Sequence, residues 1–198
     1  MKEESTQHET LVDVFVHDTA VIDHPVWIGA GSRIWHFSHV MSGAVLGKDT
    51  VLGQNVFVAG SVVIGDRVKV QNNVSLYEGL IIEDEVFIGP SAVFTNISTP
   101  RAHLSRRDKF QSTRICRGAT IGANATIVCG NTIGAYAFIG AGAVVTQSVP
   151  AYALSVGNPA RCTGWVCRCG VRLKSSTCAE CNARYRLEGQ QLLPEGES

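Results

Sequence analysis

Large aliphatic or aromatic side chains recur at every sixth position along most of this chain. The series runs from Val16 to Phe94 through Ile22, Ile28, Ile34, Val40, Leu46, Leu52, Val58, Ile64, Val70, Leu76, Ile82 and Ile88. It resumes as Ile115, Ile121, Ile127, Ile133, Ile139 and Val145. The residue two positions earlier is mostly small or β-branched, and the residue that follows is often glycine.

This six-residue period predicts one short β-strand per hexad. Because side chains alternate along a strand, the periodic residue and the residue two positions before it share a face, which we expect to point inward. The glycine that follows supplies a backbone that can turn a corner. Three hexads then form one triangular coil, and the coils stack as parallel strands about 4.8 Å apart. A β-sandwich would show irregular spacing and hairpin turns, so the sequence predicts an all-β fold, a parallel β-helix of hexapeptide repeats.

The length of 198 residues suits one domain with a small appendage. Although only 17% of the residues are charged, 45% are hydrophobic, which is too high a fraction for a disordered chain. The formal net charge is +0, which argues against a general nucleic-acid binder. We find no apolar run long enough to cross a bilayer and no signal-peptide core. We therefore expect a cytoplasmic protein with neither a nucleic-acid nor a membrane partner, whose cysteines are free thiols or metal ligands.

Residues 97–117 interrupt the period with a long basic segment. Its acidic residue is Asp108, and its cationic residues are Arg101, Arg106, Arg107, Lys109, Arg114 and Arg117. A long loop on a rigid solenoid is more often functional than not. We expect this loop to contact an anion, because the guanidinium group pairs well with carboxylates and phosphates. A solvated surface loop is the alternative.

Polar side chains replace the expected glycines in the stretch VQNNVSLYEG, which contains Gln71, Asn72, Asn73, Tyr77 and Glu78. A spacing of 18 residues, one coil, relates Asn55 to Asn73. The same spacing relates Glu78 to Asn96, so we expect two short polar columns. Asparagine also favours solenoid corners because it tolerates the left-handed conformation, but that explanation does not cover Tyr77 and Glu78. We predict a sugar-binding surface here.

Two histidines lie in the segment IWHFSHV at positions that should face outward. His36 follows Ile34 by two residues, and His39 precedes Val40. Two coils separate His36 from Asn72, a distance of about 10 Å. His36 is therefore a candidate general base. The alternative is an imidazole that packs against a neighbouring subunit.

Four cysteines follow the last repeat as two close pairs, namely Cys167, Cys169, Cys178 and Cys181. Four thiols in this arrangement fit a tetrahedral, structural zinc site. The cysteines of the first pair are separated by one residue, a shorter spacing than the two residues common in zinc-binding pairs. We divide the chain into a flexible N-terminus at residues 1–11, a β-helix domain at 12–161, a zinc-binding tail at 162–188 and a disordered end at 189–198.

The motifs together resemble those of a known family. The segments IWHFSHV, VQNNVSLYEG, VFIGPSAVFTN, RGATIGANATIVCG and GNPARC look like those of the nucleotide-sugar N-acetyltransferases, whose hexapeptide β-helix is left-handed. The chain best resembles the UDP-2-acetamido-3-amino-2,3-dideoxy-glucuronate N-acetyltransferases of bacterial surface-polysaccharide (O-antigen) synthesis. It resembles the dTDP-3-amino-3,6-dideoxyhexose N-acetyltransferases nearly as well. The resemblance implies a homotrimer that binds acetyl-CoA and a nucleotide sugar between its subunits.

The resemblance also implies attack of a sugar 3-amine on acetyl-CoA. Asn72, Asn73 and Glu78 would orient the amine, and the remaining sugar contacts would be His36, Gln71, Tyr77, Asn96, Arg101 and Arg106. The acetyl-CoA contacts would be Ala123, Ala141, Gly142, Asn158 and Arg161. His36 and His103 are candidate bases, but neither has a carboxylate beside it in sequence that could orient it, so we favour proton transfer to the departing CoA thiolate or to water. A carbonic anhydrase-like solenoid and a pure binding module are the rival classes.

Overall fold

The computed structural model of the protein describes residues 13–196, and the flexible segment expected at residues 1–11 lies outside them. Within the described residues, short strands form a solenoid. They are β1 (Phe15–Val16), β2 (Val21–Ile22), β3 (Trp27–Ile28), β4 (Arg33–Ile34), β5 (His39–Val40), β6 (Val45–Leu46), β7 (Val51–Leu52), β8 (Phe57–Val58), β9 (Val63–Ile64), β10 (Lys69–Val70), β11 (Ser75–Leu76), β12 (Leu80–Ile82), β13 (Phe87–Ile88), β14 (Val93–Phe94), β15 (Thr113–Ile115), β16 (Thr120–Ile121), β17 (Thr126–Ile127), β18 (Thr132–Ile133), β19 (Phe138–Ile139) and β20 (Val144–Val145). Each strand ends at a periodic residue, which confirms the prediction of one strand per hexad.

The strands build three parallel sheets, named A, B and C in the order in which the chain visits them. Sheet A contains β1, β4, β7, β10, β13, β16 and β19; sheet B contains β2, β5, β8, β11, β14, β17 and β20; sheet C contains β3, β6, β9, β12, β15 and β18. Paired residues are 18 apart, as in Phe15 with Arg33 and Val45 with Val63. Three hexads therefore make one coil, and the predicted parallel solenoid is confirmed.

The interior of the solenoid is one apolar column. Periodic residues such as Ile34 and Leu52 have 0% exposed surface, and the positions two residues before them are buried as well. Where such a position carries the hydroxyl of Ser32, Ser38 or Thr50, a backbone carbonyl accepts its hydrogen bond. Ser32 Oγ, for example, donates to Gly47 O at 3.0 Å. The buried polar groups are thus satisfied, which avoids their desolvation penalty.

Three corners join the sheets, and each is named by the sheets that it connects. The residues after a sheet A strand form the A–B corner, those after a sheet B strand the B–C corner, and those after a sheet C strand the C–A corner. Several corner residues have a positive φ, including Asn55 at 57° and Asn73 at 60°. This is the left-handed conformation that asparagine tolerates, so a structural reason for these two asparagines is confirmed.

The long loop leaves the solenoid at the B–C corner and returns to sheet C. Its ends meet where Gln111 N donates to Asn96 O at 2.9 Å. Paired residues on either side of the loop are 33 apart instead of 18. The sequence-based end of the loop at residue 117 is wrong, because Thr113 and Ile115 are already buried in the core and β15 pairs with β12. One 3₁₀ turn, Arg107–Lys109, lies within the loop.

Beyond the last coil the chain forms a small cap, defined here as residues 162–194. Strand β21 (Ala153–Val156) precedes the cap. The strands that follow are β22 (Arg161–Trp165), β23 (Tyr185–Glu188) and β24 (Gln191–Pro194). Strand β21 extends sheet A and pairs antiparallel with β22, and β23 and β24 form a hairpin.

The end of the cap differs from the sequence-based expectation. The prediction of disorder at residues 189–198 is wrong for residues 189–196. Leu192 is buried against the cap and lies within the β23–β24 hairpin. Among residues 13–196, no helix is long and apolar enough to cross a membrane.

Candidate active site

A groove of about 330 Å³ opens at the A–B corner. Its lining residues are Trp35, His36, Val51, Gly53, Gln54, Val70, Gln71 and Asn72. Three candidate substrate contacts, His36, Gln71 and Asn72, therefore lie together in the structure. The groove is half open, so a ligand here would keep one side available to a further surface.

The carboxamides of Asn72 and Asn73 contribute to the stacking of coils. Asn72 Oδ1 accepts a hydrogen bond from Gln54 N at 2.9 Å, just as Asp66 Oδ1 caps a backbone N–H on the C–A corner at 2.8 Å. Asn55 Nδ2 donates to Asn73 Oδ1 at 3.1 Å, which is the first of the two expected polar columns. The NH₂ group of Asn72 is a separate donor, and Asn72 is one of the residues that line the groove.

Toward the C-terminal end, the A–B corner loses its large side chains. The column of equivalent positions runs through His36, Gln54, Asn72, Pro90, Ala123 and Ala141. Gly142 N donates to Ala123 O at 2.8 Å. The segment that carries Asn158 and Arg161 packs against β20 through a backbone hydrogen bond of 2.7 Å. The candidate acetyl-CoA contacts thus lie at one end of the solenoid, on or beside the A–B corner.

Glu78 and Asn96 form the second polar column, on the B–C corner. Asn96 Nδ2 donates to Glu78 Oε2 at 3.4 Å, in agreement with the 18-residue spacing. Tyr77 is 40% exposed, and its ring packs on Phe57 with centroids 5.9 Å apart. Because the loop leaves and rejoins the solenoid at Asn96, the loop belongs to this corner.

Two loop arginines have no carboxylate as a neighbour among the described ion pairs. Arg106 Nη1 donates to Thr99 Oγ1 at 3.0 Å, and its Nε is buried without a hydrogen-bond partner in the described part of the chain. Arg101 is exposed, and its Nη1 donates to Pro100 O at 2.8 Å. Both guanidinium groups therefore keep hydrogen-bond donors that an anion could accept from.

On the C–A corner, by contrast, glutamates form ion pairs with arginines of the same chain. Arg114 pairs with Glu83 at 2.6 Å, and Glu85 bridges Arg67 at 2.9 Å and Arg117 at 3.0 Å. Hydrogen bonds from Arg117 and Arg67 hold the pKa of Glu85 below its usual value. The expectation that Arg114 and Arg117 belong to the anion-binding loop is wrong, because strand pairing carries both to the glutamates of the preceding coil.

The structure does not bring the two polar columns together within one chain. Strand β11 separates Asn73 from Glu78, and five residues at the rise of a strand span roughly 16 Å. The single sugar-binding surface expected from the sequence is therefore divided, because the chain turns onto a new sheet every six residues. Asn72 and Asn73 lie on the corner of the acetyl-CoA candidates, whereas Glu78 and Tyr77 lie with the loop.

The histidines occupy three different environments. His36 stacks on His17 with ring centroids 3.5 Å apart, and His103 is exposed in the loop. His39 Nε2 lies 2.8 Å from Asp23 Oδ2, a pair not foreseen from the sequence. The signal for it was present, because strands β2 and β5 are one coil apart and Asp23 directly follows β2. A histidine with a carboxylate partner thus exists here, formed by two residues that are not neighbours in sequence.

The four cysteines of the tail converge on one point. Their Sγ atoms all lie within 4.8 Å of one another. Burial opposes ionisation of Cys167, but hydrogen bonds from the Cys169 N–H and the Tyr185 hydroxyl lower the pKa of this thiol to about 6. Four sulfur atoms in such a cluster are the ligand set of a structural zinc site.

Comparisons with known proteins match the repeats. The family described as bacterial transferase hexapeptide (six repeats) matches residues 25–60. The hexapeptide repeat of succinyl-transferase matches residues 43–78 and 113–147. The two matched segments of the second family lie on either side of the long loop, which shows that the loop is an insertion into a regular repeat.

Individual relatives match parts of the chain. A dTDP-3-amino-3,6-dideoxy-alpha-D-galactopyranose 3-N-acetyltransferase from Aneurinibacillus thermoaerophilus is 49% identical over 82 residues, which are 40% of this chain and 43% of that protein. A bifunctional protein GlmU from Heliobacterium modesticaldum is 31% identical over 144 residues, 73% of this chain and 29% of that protein. The chain thus spans less than half of the length of either relative.

A solved structure matches more fully. It is a hexapeptide-repeat-containing acetyltransferase from Vibrio cholerae O1 biovar eltor, complexed with acetyl coenzyme A, and it is 30% identical. The match covers 63% of this chain and 72% of that chain, with a TM-score of 0.56. The sequence repeats and the stacked coils agree with this likeness, and the chain belongs to the hexapeptide-repeat acetyltransferase family.

Proposed function

We propose that this protein transfers the acetyl group of acetyl-CoA to the 3-amino group of a nucleotide-linked amino sugar. The observation that carries the proposal is the change of side chains along the A–B corner. Small residues at Ala123, Ala141 and Gly142 leave the surface clear for an extended ligand, and this track leads to the polar groove at His36 and Asn72. A long cofactor with a thioester at one end fits a small-residue track that ends in polar groups.

The comparisons support the two substrates separately. The Vibrio cholerae relative is a complex with acetyl coenzyme A, which supports acetyl-CoA as the donor. The Aneurinibacillus thermoaerophilus relative is named for a dTDP-linked 3-amino sugar, which supports an amino sugar of this class as the acceptor. An acetyltransferase that modifies such sugars would serve bacterial surface-polysaccharide (O-antigen) synthesis.

The complete site would form between the subunits of a homotrimer. One chain carries the acetyl-CoA track on its A–B corner and Glu78, Asn96 and the loop on its B–C corner, roughly 16 Å away at the rise of a strand. When the A–B corner of one copy faces the B–C corner of the next, the two halves close one groove. Exposed apolar side chains offer a contact surface, with Trp27 64% and Val21 52% exposed.

The chemistry needs a neutral amine and a place for one proton. The amine nitrogen attacks the thioester carbonyl, the C–N bond forms as the C–S bond breaks, and the amine proton passes to the departing CoA thiolate or to water. Holding both substrates in one groove supplies much of the acceleration. Glu78 and Asn72 would orient the amine, and backbone N–H groups would polarise the carbonyl.

Three histidine variants test the route without a side-chain base. We expect His36→Ala, His103→Ala and His39→Ala each to keep kcat within about tenfold of the unchanged protein, since removal of a general base typically costs 10²–10⁴-fold. The His39 variant is the most stringent of the three, because Asp23 would orient the imidazole of His39. A fall in kcat beyond about 10³-fold in any one of them would identify that histidine as the base.

The first choice of acceptor is UDP-2-acetamido-3-amino-2,3-dideoxy-D-glucuronate. Its carboxylate would bind Arg106 and Arg101, whose guanidinium groups have hydrogen-bond donors available for an anion. The second candidate is a dTDP-linked 3-amino-3,6-dideoxyhexose, which lacks the carboxylate. The name of the 49%-identical relative favours that second candidate.

One experiment decides between the acceptors. Thiol release from acetyl-CoA is measured with the UDP-linked uronate and with the dTDP-linked deoxyhexose, using the unchanged protein and Arg106→Ala. If the uronate is the substrate, we expect Arg106→Ala to raise its KM about 10–100-fold, the usual value of a hydrogen bond to a charged group. Turnover of the deoxyhexose alone would replace the first candidate by the second, and no turnover of either would contradict the proposed function.

A further inference from the structure

The two cysteine pairs of the cap lie in two turns that are built alike. In the first turn, Gly170 N donates to Cys167 O at 2.8 Å, and Gly170 has a φ of 90°. In the second, Asn182 N donates to Cys178 O at 3.1 Å, and Asn182 has a φ of 59°. An antiparallel bridge closes each turn, Val166 with Arg172 and Thr177 with Arg184. Each turn therefore presents two thiols and then reverses through a left-handed residue.

The sulfur positions match those around a tetrahedral metal ion. A zinc ion with Zn–S bonds of about 2.3 Å holds its sulfur ligands about 3.8 Å apart. Here Cys167 Sγ lies 3.3 Å from Cys181 Sγ, and Cys169 Sγ lies 3.6 Å from Cys178 Sγ. The other pairs also stay within 4.8 Å. All four cysteines are free thiols, so their sulfur atoms are available as ligands.

Backbone donors also point at this cluster. The N–H of Cys169 donates to Cys167 Sγ, that of Val171 to Cys169 Sγ, and that of Ala183 to Cys181 Sγ. Such N–H groups stabilise negative charge on sulfur. Four thiolates repel one another unless a cation lies among them, so this arrangement of donors and sulfur atoms is that of a cation site.

We propose that Cys167, Cys169, Cys178 and Cys181 bind one Zn²⁺ ion, which fastens the cap onto the C-terminal end of the solenoid. Four sulfur ligands complete a tetrahedron and leave no open position for a substrate. The ion is therefore structural, and the energy of metal binding becomes folding energy of the cap.

Three tyrosines connect the cluster to the solenoid. The Tyr185 hydroxyl lies 3.1 Å from Cys167 Sγ and accepts a hydrogen bond from Arg168 N at 3.0 Å. Tyr185 is 1% exposed, and its ring meets that of Tyr152 edge-on with centroids 5.5 Å apart. The ring of Tyr152 in turn stacks on that of Tyr136 at 5.3 Å. Tyr136 and Tyr152 lie at the C–A corner of the last coils. The cysteine cluster is thus in continuous side-chain contact with the end of the solenoid.

Strand β22 extends the connection to the candidate cofactor end. It begins at Arg161, pairs with β21 and ends at Trp165, shortly before Cys167. Val166 N donates to Tyr152 O at 2.8 Å, so this strand is held at the end where the cluster lies. Loss of the metal should therefore loosen Arg161 and weaken the binding of CoA. This last consequence rests on the proposed function, whereas the metal site does not.

The metal content of the full-length chain tests the site directly. Elemental analysis should find one zinc per chain in the unchanged protein and in Cys162→Ser, an exposed cysteine outside the cluster. Cys178→Ser should retain less than a tenth of that zinc. Replacement of zinc by Co²⁺ should give the visible absorption of a tetrahedral cobalt thiolate. A zinc-free unchanged protein, or two disulfides in its intact mass, would overturn the proposal.

A second measurement avoids cysteine variants, because a substituted cap can fail to fold. Zinc is removed from the unchanged protein with a chelator, and amide hydrogen exchange is compared before and after. We expect at least tenfold faster exchange in residues 152–194 and unchanged exchange in residues 33–70. Equal exchange throughout would contradict a role of the metal in fastening the cap.

Binding of CoA to the zinc-loaded and the zinc-free protein separates this inference from the proposed function. CoA binding that weakens at least tenfold on zinc removal supports the link through β22, and unchanged binding overturns that link. Failure of CoA to bind either form, together with the expected zinc content, contradicts the proposed function alone.

Discussion

The A–B and C–A corners share one backbone design. On both corners, a side-chain oxygen accepts a hydrogen bond from a backbone N–H of the preceding coil. The accepting oxygen belongs to Asn72 on the A–B corner and to Asp66 and Asp84 on the C–A corner. On both corners the following residue has a positive φ, as at Asn73 and Glu85. The stacking of coils therefore imposes the same requirements on the two corners.

The two corners differ in what the remaining polar groups do. On the C–A corner, Glu85 forms ion pairs with Arg67 of the preceding coil and Arg117 of the next. On the A–B corner, the polar residues beside the groove are amides and an imidazole, followed by alanines. A charged group that is already paired within the chain has few hydrogen bonds left to offer a ligand. Polarity by itself thus does not identify a binding corner; the pairing between neighbouring coils does.

The largest expected effect comes from filling the small-residue track. Ala141→Trp should lower kcat/KM for acetyl-CoA by at least about 10³-fold, because an indole on the track excludes the cofactor and removes most of its binding energy. The control is Ala30→Trp, since Ala30 is also exposed and occupies the equivalent hexad position on the C–A corner. We expect the control to keep its activity within about twofold. Equal losses in both variants would show that the two corners do not differ in function.

A smaller loss of activity is expected from substitution of a carboxylate at the proposed site, and none from substitution of a carboxylate that pairs with arginines on the C–A corner. Glu78→Gln should lower kcat by about 10²-fold, because loss of the charge that orients the amine misplaces the reacting nitrogen. Glu85→Gln removes an equal charge from the C–A corner, where the carboxylate pairs with arginines, and should leave kcat unchanged. Steady-state kinetics with saturating acetyl-CoA measures both. A loss of kcat in the Glu85 variant as large as that in the Glu78 variant would show that the C–A corner also takes part in the reaction, and would contradict the proposed difference between the corners.

The regular part of the fold could be predicted from the sequence because its determinants repeat. Inward positions such as Ile34 and Ile121 need only to be apolar, and the period fixes their register. The columns Asn55–Asn73 and Glu78–Asn96 followed from the same 18-residue spacing. Such features depend on neighbours at a constant separation, which a sequence displays directly.

The site itself was less predictable because it depends on which corner each residue occupies. Asn73 and Glu78 are close in sequence but lie on different corners, whereas Asp23 and His39 are distant in sequence and lie 2.8 Å apart. Arg114 and Arg117 looked like part of a basic loop until strand pairing placed them beside glutamates. The proposed site between subunits would add contacts that no spacing within one chain contains.

The smallest expected effect concerns the stability of the C–A corner in acid. The pKa of Glu85 is lowered from 4.5 by hydrogen bonds from Arg117 and Arg67. A carboxylate whose pKa is lower in the folded state stabilises the fold above its unfolded pKa, and this contribution disappears as the pH falls through the folded value. The difference in Tm between the unchanged protein and Glu85→Gln should therefore be small at neutral pH, as for exposed ion pairs in general, and should vanish well below pH 4.5.

The two arginines provide the control for this titration. In a background of Arg67→Ala with Arg117→Ala, Glu85 has lost both partners that lower its pKa. The pH-dependent part of the difference in Tm should then disappear, because the carboxylate titrates alike in the folded and unfolded chains. A difference that persists in this background would mean that Glu85 acts through something other than the ion pairs of the C–A corner. That corner would then no longer be the ion-paired counterpart of the A–B corner.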